Sequence, residues 1–192
     1  MSNLRIFTAV NLSVASLRRL AELQQRLREE QAPSLRVTWV PPANLHVTVK
    51  FYGTLGAEQV EAVRDAARRA AALVKPFGLS AHGLGVFPEV ERPRVLWVGL
   101  TEGAEALVEL SRRVEDASEA LGFPRDGRPF RPHLTLGRIK QGNAGVPEWL
   151  AAHGDVDCLA SAVDELVVYE SRLLRTGAEY FAHARIPLGA PN

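Results

Sequence analysis

Two tetrapeptides, His46-Val47-Thr48-Val49 and His133-Leu134-Thr135-Leu136, repeat one order of polar and apolar residues within a chain of 192 residues. Each lies in a run that alternates with a period of two, the mark of a strand with one buried face. Residues i and i+2 of such a strand share a face. His46 and Thr48 are therefore expected on an open face, with Leu45, Val47, Val49 and Phe51 turned into a core. In the second copy Leu134 and Leu136 turn inward. Any fold for this chain must hold two half-buried strands, each showing an imidazole and a hydroxyl about 7 Å apart by strand rise.

The remaining pattern supplies partners for those strands. Residues 4–12, 37–40, 45–52 (ending at Gly53), 77–87, 94–100, 130–139, 163–169 and 179–186 read as strands. A first helix starts after the cap residue Ser13 and carries the stripe Leu17, Leu20, Leu23 and Leu27. Val60, Val63, Ala67, Ala70 and Val74 mark a second helix, ended by Pro76. Leu107, Leu110, Val114, Ala117 and Leu121 mark a third, closed by Gly122, and residues 146–153 form a short fourth. The order is not a regular βαβα alternation, which predicts an α+β fold with mainly antiparallel sheets. Each half offers a long helix and a strand with His-x-Thr, so two similar lobes facing each other are a natural packing.

Charge and composition narrow the function. Hydrophobic residues make up 46% and charged residues 23%, as in soluble globular proteins, and the formal net charge is +1. Without a global positive field, contact with a polyanion must be local, in a cleft. No apolar run is long enough to span a bilayer, and residues 1–7 contain no stretch of signal-peptide length, so a cytoplasmic protein is expected. Cys158 is the one cysteine, which excludes an internal disulfide; it is read as a packing or surface residue, not a nucleophile.

Two imidazoles and two hydroxyls brought side by side suit the in-line opening of a cyclic phosphodiester. That reaction needs a base for the incoming water and an acid for the leaving oxygen, on opposite sides of phosphorus. Imidazole titrates near neutrality, so one histidine can begin neutral and the other protonated. Threonine hydroxyls can donate to the non-bridging oxygens. The sequence has no HExxH, CxxC or HxH metal signature, and no cofactor is called for.

The runs Asn44-Leu45-His46-Val47-Thr48-Val49-Lys50-Phe51-Tyr52-Gly53 and Arg128-Pro129-Phe130-Arg131-Pro132-His133-Leu134-Thr135-Leu136-Gly137-Arg138 resemble the 2H phosphoesterase superfamily. More narrowly, they resemble its RNA 2',3'-cyclic phosphodiesterases, also called 2'-5' RNA ligases. The likeness extends to Arg5-Ile6-Phe7-Thr8-Ala9-Val10, Gly83 to Pro88, Pro93 to Gly99, Gly122-Phe123 and Tyr169 to Leu173. It implies one domain over residues 1–192, made of two pseudo-symmetric lobes around a central active-site cleft. It implies hydrolysis of RNA 2',3'-cyclic phosphate ends to 2'-phosphates without metal or cofactor. By the same resemblance His46 is the proton donor to the leaving 3'-oxygen and His133 the proton acceptor that activates water. Thr48, Thr135 and Arg138 fall on phosphate-binding positions. Run in reverse, the same groups would join a cyclic end to a 5'-hydroxyl in a 2'-5' linkage. The implied partners are RNA 3' ends, tRNA fragments among them, met by a monomer.

Several positions stay open in the sequence. Strict alternation puts Arg138 on the face opposite His133, while Gly137 permits a bulge that would turn it back. Lys50 falls on the His46 face, as an added charge or a solvated strand end. Phe7 and Phe130 are core residues or platforms for a base. Arg131 is placed at the cleft rim. His82, His153 and His183 are read as structural or surface residues, Trp39, Trp97 and Trp149 as packing, and Asp155 and Asp157 as solvated loop carboxylates. Another nucleotide phosphodiester, such as a cyclic ADP-ribose phosphate or a 2'-5' oligonucleotide, is the competing substrate class. A non-catalytic RNA-binding module is the competing role.

Overall fold

Alternating apolar residues sort the strands into two antiparallel sheets, each backed by amphipathic helices. The structure, a computed structural model, describes residues 3–31, 35–143, 145–154, 157–174 and 177–189, without the side chains of residues 157–160. In chain order the elements are β1 (Leu4–Val10), α1 (Val14–Glu29), β2 (Arg36–Trp39), a 3-10 turn (Pro42–Asn44), β3 (Val47–Leu55) and α2 (Ala57–Ala71). Then follow β4 (Phe77–Phe87), β5 (Val95–Leu100), α3 (Ala104–Glu119), β6 (His133–Gln141), α4 (Val146–His153), β7 (Asp157–Val163), β8 (Glu165–Leu174) and β9 (Gly177–Pro187). The first sheet has the order β3-β1-β8-β9 and the second β2-β6-β5-β4-β7. This is the expected α+β class.

The helices exchange sides. α1 follows a strand of the first sheet but packs on β7 of the second, while α3 follows β5 of the second sheet but packs on β3 of the first. α1 starts where Ser13 Oγ accepts the Ser16 N–H at 3.2 Å, as its cap position demands. It then buries Leu20, Leu23 and Leu27 completely or nearly so, each worth about 1.5–3 kcal/mol relative to exposure. α2 and α3 pack on each other behind the first sheet. No helix among the described residues is long and apolar enough to cross a membrane.

Three strand expectations need correction. The run 163–169 is two strands: Val163 ends β7 in the second sheet and Glu165 opens β8 in the first, with Asp164 at the corner. Leu188 N–H donates to the Asp164 carbonyl at 2.7 Å, which holds that corner. Periodicity cannot see a change of sheet when both sides of it are apolar. The strand expected over 130–139 begins only at His133, because Pro129 and Pro132 have no N–H to give a ladder. The strand expected to stop at Gly53 runs on to Leu55, since Gly53 takes φ 79° beside a register shift and carries the strand past it.

A second kind of irregularity sets the side-chain directions. Ala9 pairs with Thr48 and Thr8 with Lys50, so Val49 is an extra residue in β3. Trp97 pairs with Thr135 and Leu96 with Gly137, so Leu136 is an extra residue in β6. Each motif strand therefore bulges at the same place, directly after its threonine. A bulge reverses the alternation beyond it. Helix side chains meet both bulge carbonyls. Gln24 of α1, itself buried, donates its amide to Leu136 O at 2.8 Å and to Val40 O at 2.8 Å. Ser111 of α3 reaches Val49 O at 3.5 Å.

Candidate active site

The two bulges decide which residues join each His-x-Thr on the open face. In β6, Leu136 and Ile139 are both buried and Arg138 between them is exposed, so the bulge returns Arg138 to the side of His133 and Thr135. Gly137 allows this, since a Cβ there would stand 2.6 Å from Val37 Cγ1 on β2. In β3 the same reversal turns Lys50 inward and Phe51 outward, against both expectations. Lys50 is 2% exposed, and its ammonium donates to Glu115 at 2.7 Å and to Pro124 O at 3.0 Å on the far side of the sheet. Phe51, 45% exposed, lies on the open face beneath the Arg5 guanidinium, 5.5 Å from its ring centre.

β3 and β6 approach each other where the sheets meet, and this brings the two motifs together. Each imidazole is anchored through Nδ1 to a carbonyl two residues before it: His46 to Asn44 O at 2.8 Å, His133 to Arg131 O at 2.7 Å. A carbonyl only accepts, so both Nδ1 atoms carry the proton. In the neutral rings both Nε2 atoms then present lone pairs. His46 Nε2 pairs with Thr48 Oγ1 at 3.0 Å. Burial pushes both imidazoles below the ordinary histidine range, and at His46 the nearby His133 pushes further in the same direction.

Aromatic rings pack both histidines. Phe7 stacks on His46 with centres 5.0 Å apart, and Tyr180 meets it edge-on at 5.3 Å. Tyr169 stacks on Phe7 at 5.3 Å and stands 6.5 Å from His46 itself, and its hydroxyl donates to Asn11 Oδ1 at 3.0 Å. His133 has one edge-on neighbour, Phe87, at 5.0 Å. Beside His46 a cavity of about 190 Å³ is lined by Asn11, Asn44, Tyr169, Tyr180 and Arg185 among others. Burial raises the Tyr180 phenol, while the charges of Arg138 and Arg5 oppose that rise. One arginine from each lobe thus bears on the same point.

Phe7 is accordingly a floor under His46, while Phe130 packs against the core. The sequence reading missed Tyr169, Tyr180 and Phe87. Tyr169 pairs across β1 with Phe7, so the register alone would have placed it. The other histidines lie elsewhere: His153 pairs with Glu30 at 2.8 Å, His183 with Glu170 at 2.9 Å, and His82 is exposed. Trp149 is core, Trp39 lies beneath Arg28, and Trp97 packs on Phe87. Among the described residues no group of three His, Cys, Asp or Glu gathers to hold a metal. Asp155 and the side chains of Asp157 and Cys158 lie outside the described residues.

The family model described as LigT-like phosphoesterase matches this chain twice, over residues 12–97 and 98–180. The boundary falls between the two His-x-Thr motifs, one in each match. An Aquifex aeolicus protein named RNA 2',3'-cyclic phosphodiesterase is 32% identical over 171 residues, covering 88% of this chain and 90% of its own. A Geobacillus stearothermophilus protein of the same name is 39% identical over 81% of this chain, which spans about half (49%) of that relative's length. A solved structure from Thermus thermophilus superimposes with a TM-score of 0.82 at 28% identity, covering 98% of this chain and all of that one.

Proposed function

Because this chain belongs to the LigT-like phosphoesterase family, we propose that it opens RNA terminal 2',3'-cyclic phosphates to 2'-phosphates, both lobes of one domain forming the site. The observation that carries this reading is the matched pair of imidazoles, each fixed by a carbonyl at Nδ1 so that Nε2 is the working atom. His133 Nε2 takes a proton from water as the oxygen bonds to phosphorus. The bond from phosphorus to O3' breaks, and His46 Nε2 gives O3' a proton. The product is a 2'-phosphate beside a 3'-hydroxyl.

Burial favours neutral imidazoles, which suits the base at once. The acid needs a proton, and the anionic phosphodiester supplies the reason for His46 to hold one. When the phosphodiester binds, the His46 Nε2 proton turns from Thr48 Oγ1 to O3', and the Thr48 hydroxyl donates its own hydrogen to a non-bridging oxygen. Thr135 and Arg138 hold the same phosphate from the second lobe, a role supported by the bulge that puts Arg138 on the face of His133. A 5'-hydroxyl in the place of water gives the 2'-5' linkage with the same groups. No step calls on a metal or other cofactor.

The test is turnover of a short RNA ending in a 2',3'-cyclic phosphate, with the product end resolved as 2'- or 3'-phosphate. A 2'-phosphate, formed at the same rate in EDTA, is expected. A 3'-phosphate would reverse the choice of leaving oxygen, and activity lost in EDTA and restored by a divalent ion would refute the metal-free route.

A further inference from the structure

Five cations on or just beyond α2 and α3 already have partners. Arg64, Arg68, Arg112 and Arg113 on α2 and α3, and Arg125 just beyond α3, each pair with a carboxylate. Such surface pairs are nearly neutral outward. β6 differs. Arg138 and Lys140 are exposed on either side of buried Ile139, and among the described residues neither has a carboxylate partner. The same holds for Arg92 and Arg94 in the turn between β4 and β5.

Lys140, Arg92 and Arg94 converge on a groove of about 270 Å³, with Gln141 and Asn143 beside them and Glu91 as the one carboxylate in its lining. The groove has a fixed frame. Ile139 N–H donates to Arg94 O at 2.9 Å, and Asn143 Nδ2 donates to Glu91 O at 2.9 Å, which ties the turn to the end of β6. Strand rise puts Lys140 about 20 Å from His133, well past a terminal nucleotide. At the other end of the site, Arg185 in the cavity beside His46 is paired with Glu165, so its charge is already matched. Unmatched charge thus continues outward along β6 to the groove.

We propose that this groove, continued through Lys140 and Arg138 to the histidines, carries the phosphate backbone of the single-stranded RNA that precedes the cyclic end. The proposal rests on the RNA-end reading above. Guanidinium and ammonium groups without carboxylate partners neutralise phosphates and release their counterions, and they do so without reading bases. A net charge of +1 is no obstacle, because the charge is gathered where the strand lies.

The experiment compares wild type with R92A/R94A/K140A, none of which touches the reacting phosphate. Equilibrium binding of a labelled single-stranded RNA ending in a 2'-phosphate is followed from low to moderate salt. Removing three phosphate contacts should flatten the slope of log affinity against log salt by about 2, at roughly 0.7 per contact for a single strand. Turnover of a cyclic-phosphate oligonucleotide should fall roughly tenfold at low salt, while that of a 2',3'-cyclic mononucleotide stays at the wild-type rate. The unchanged mononucleotide rate also certifies the fold. An unaltered salt slope overturns the groove. Wild type inert on every cyclic phosphate refutes the proposed activity instead, and the binding slopes still decide the groove.

Discussion

The two lobes place the same motif on the same bulged strand and then use the residue after the bulge differently. In β6 the inward position is Gly137, packed against Val37 of β2, and the outward one is Arg138. In β3 the inward position is Lys50, bonded to α3 and to the segment leading toward β6, and the outward one is Phe51. The histidines differ as well. His46 is the more deeply set, packed against Phe7 and Tyr180, and its Nε2 is engaged by Thr48. His133 has one aromatic edge beside it. A duplicated frame thus carries unequal roles: a covered imidazole suited to hold a proton against a bound anion, and a more open one suited to meet water. The largest test of this comparison removes each imidazole in turn. His46→Ala and His133→Ala should each lower kcat/KM by about 10²–10⁴-fold on a cyclic-phosphate RNA. A loss at only one would show that the lobes share a fold but not a reaction.

The inward positions come next in size. Lys50→Met removes the cation from a buried pair and leaves Glu115 with only the Asp126 N–H at 3.3 Å. The expected loss is about 3 kcal/mol of stability, read by chemical denaturation. Gly137→Ala must displace Val37 or β2 itself, at about 1–3 kcal/mol. If Lys50→Met were neutral, the link from β3 to the segment before β6 would be packing and not charge.

The same strands show how much of this was legible in the sequence. The two motifs, the helices and the α+β class follow from periodicity, because those residues alternate in step with their surroundings. The faces of Lys50 and Phe51 were misread because Val49 looks like any other strand residue. Its extra place appears only against β1, a partner forty residues away in sequence. Arg138 stayed open for the same reason, and Gly137 was the one local sign of a bulge. Tyr169 and Tyr180 reach the site through pairing with β1 and with each other's strands, which composition does not encode. The corner at Asp164 was hidden because the chain leaves one core and enters another without a polar interruption.

Gln24 makes the dependence on the bulge testable. Its amide is the helix's grip on Leu136 O, and the bulge there is what turns Arg138 outward. Arg138→Ala should cost roughly tenfold or more in kcat/KM, from the loss of a charged hydrogen bond of about 1.5–3 kcal/mol. Gln24→Met should approach that loss, and in an Arg138→Ala background it should add nothing. A purely structural glutamine would add its effect in both backgrounds.

The pH dependence separates the two imidazoles without disabling either. In kcat/KM the base must be neutral and the acid protonated in the free protein. Burial lowers both groups, so the acid limb, set by His133, and the alkaline limb, set by His46, should both lie below the ordinary histidine range. The bound phosphodiester raises His46, so the alkaline limb of kcat should move to higher pH than that of kcat/KM. Phe7→Ala uncovers His46 and should move its limb up in kcat/KM, leaving the acid limb in place. Movement of the acid limb instead would exchange the assigned roles.

The smallest effect belongs to the first lobe's bulge. Ser111 reaches Val49 O at 3.5 Å, beyond the usual range for a hydroxyl hydrogen bond, whereas Gln24 holds Leu136 O at 2.8 Å. The residue that Val49 turns outward is Phe51, which lies beneath Arg5 and carries no charge to the site. Ser111→Ala should therefore cost about 0.5 kcal/mol or less and change kcat/KM by less than about twofold. An effect as large as that of Gln24→Met would mean that the first bulge, like the second, is held open by its helix, and that Arg5 is positioned as strictly as Arg138.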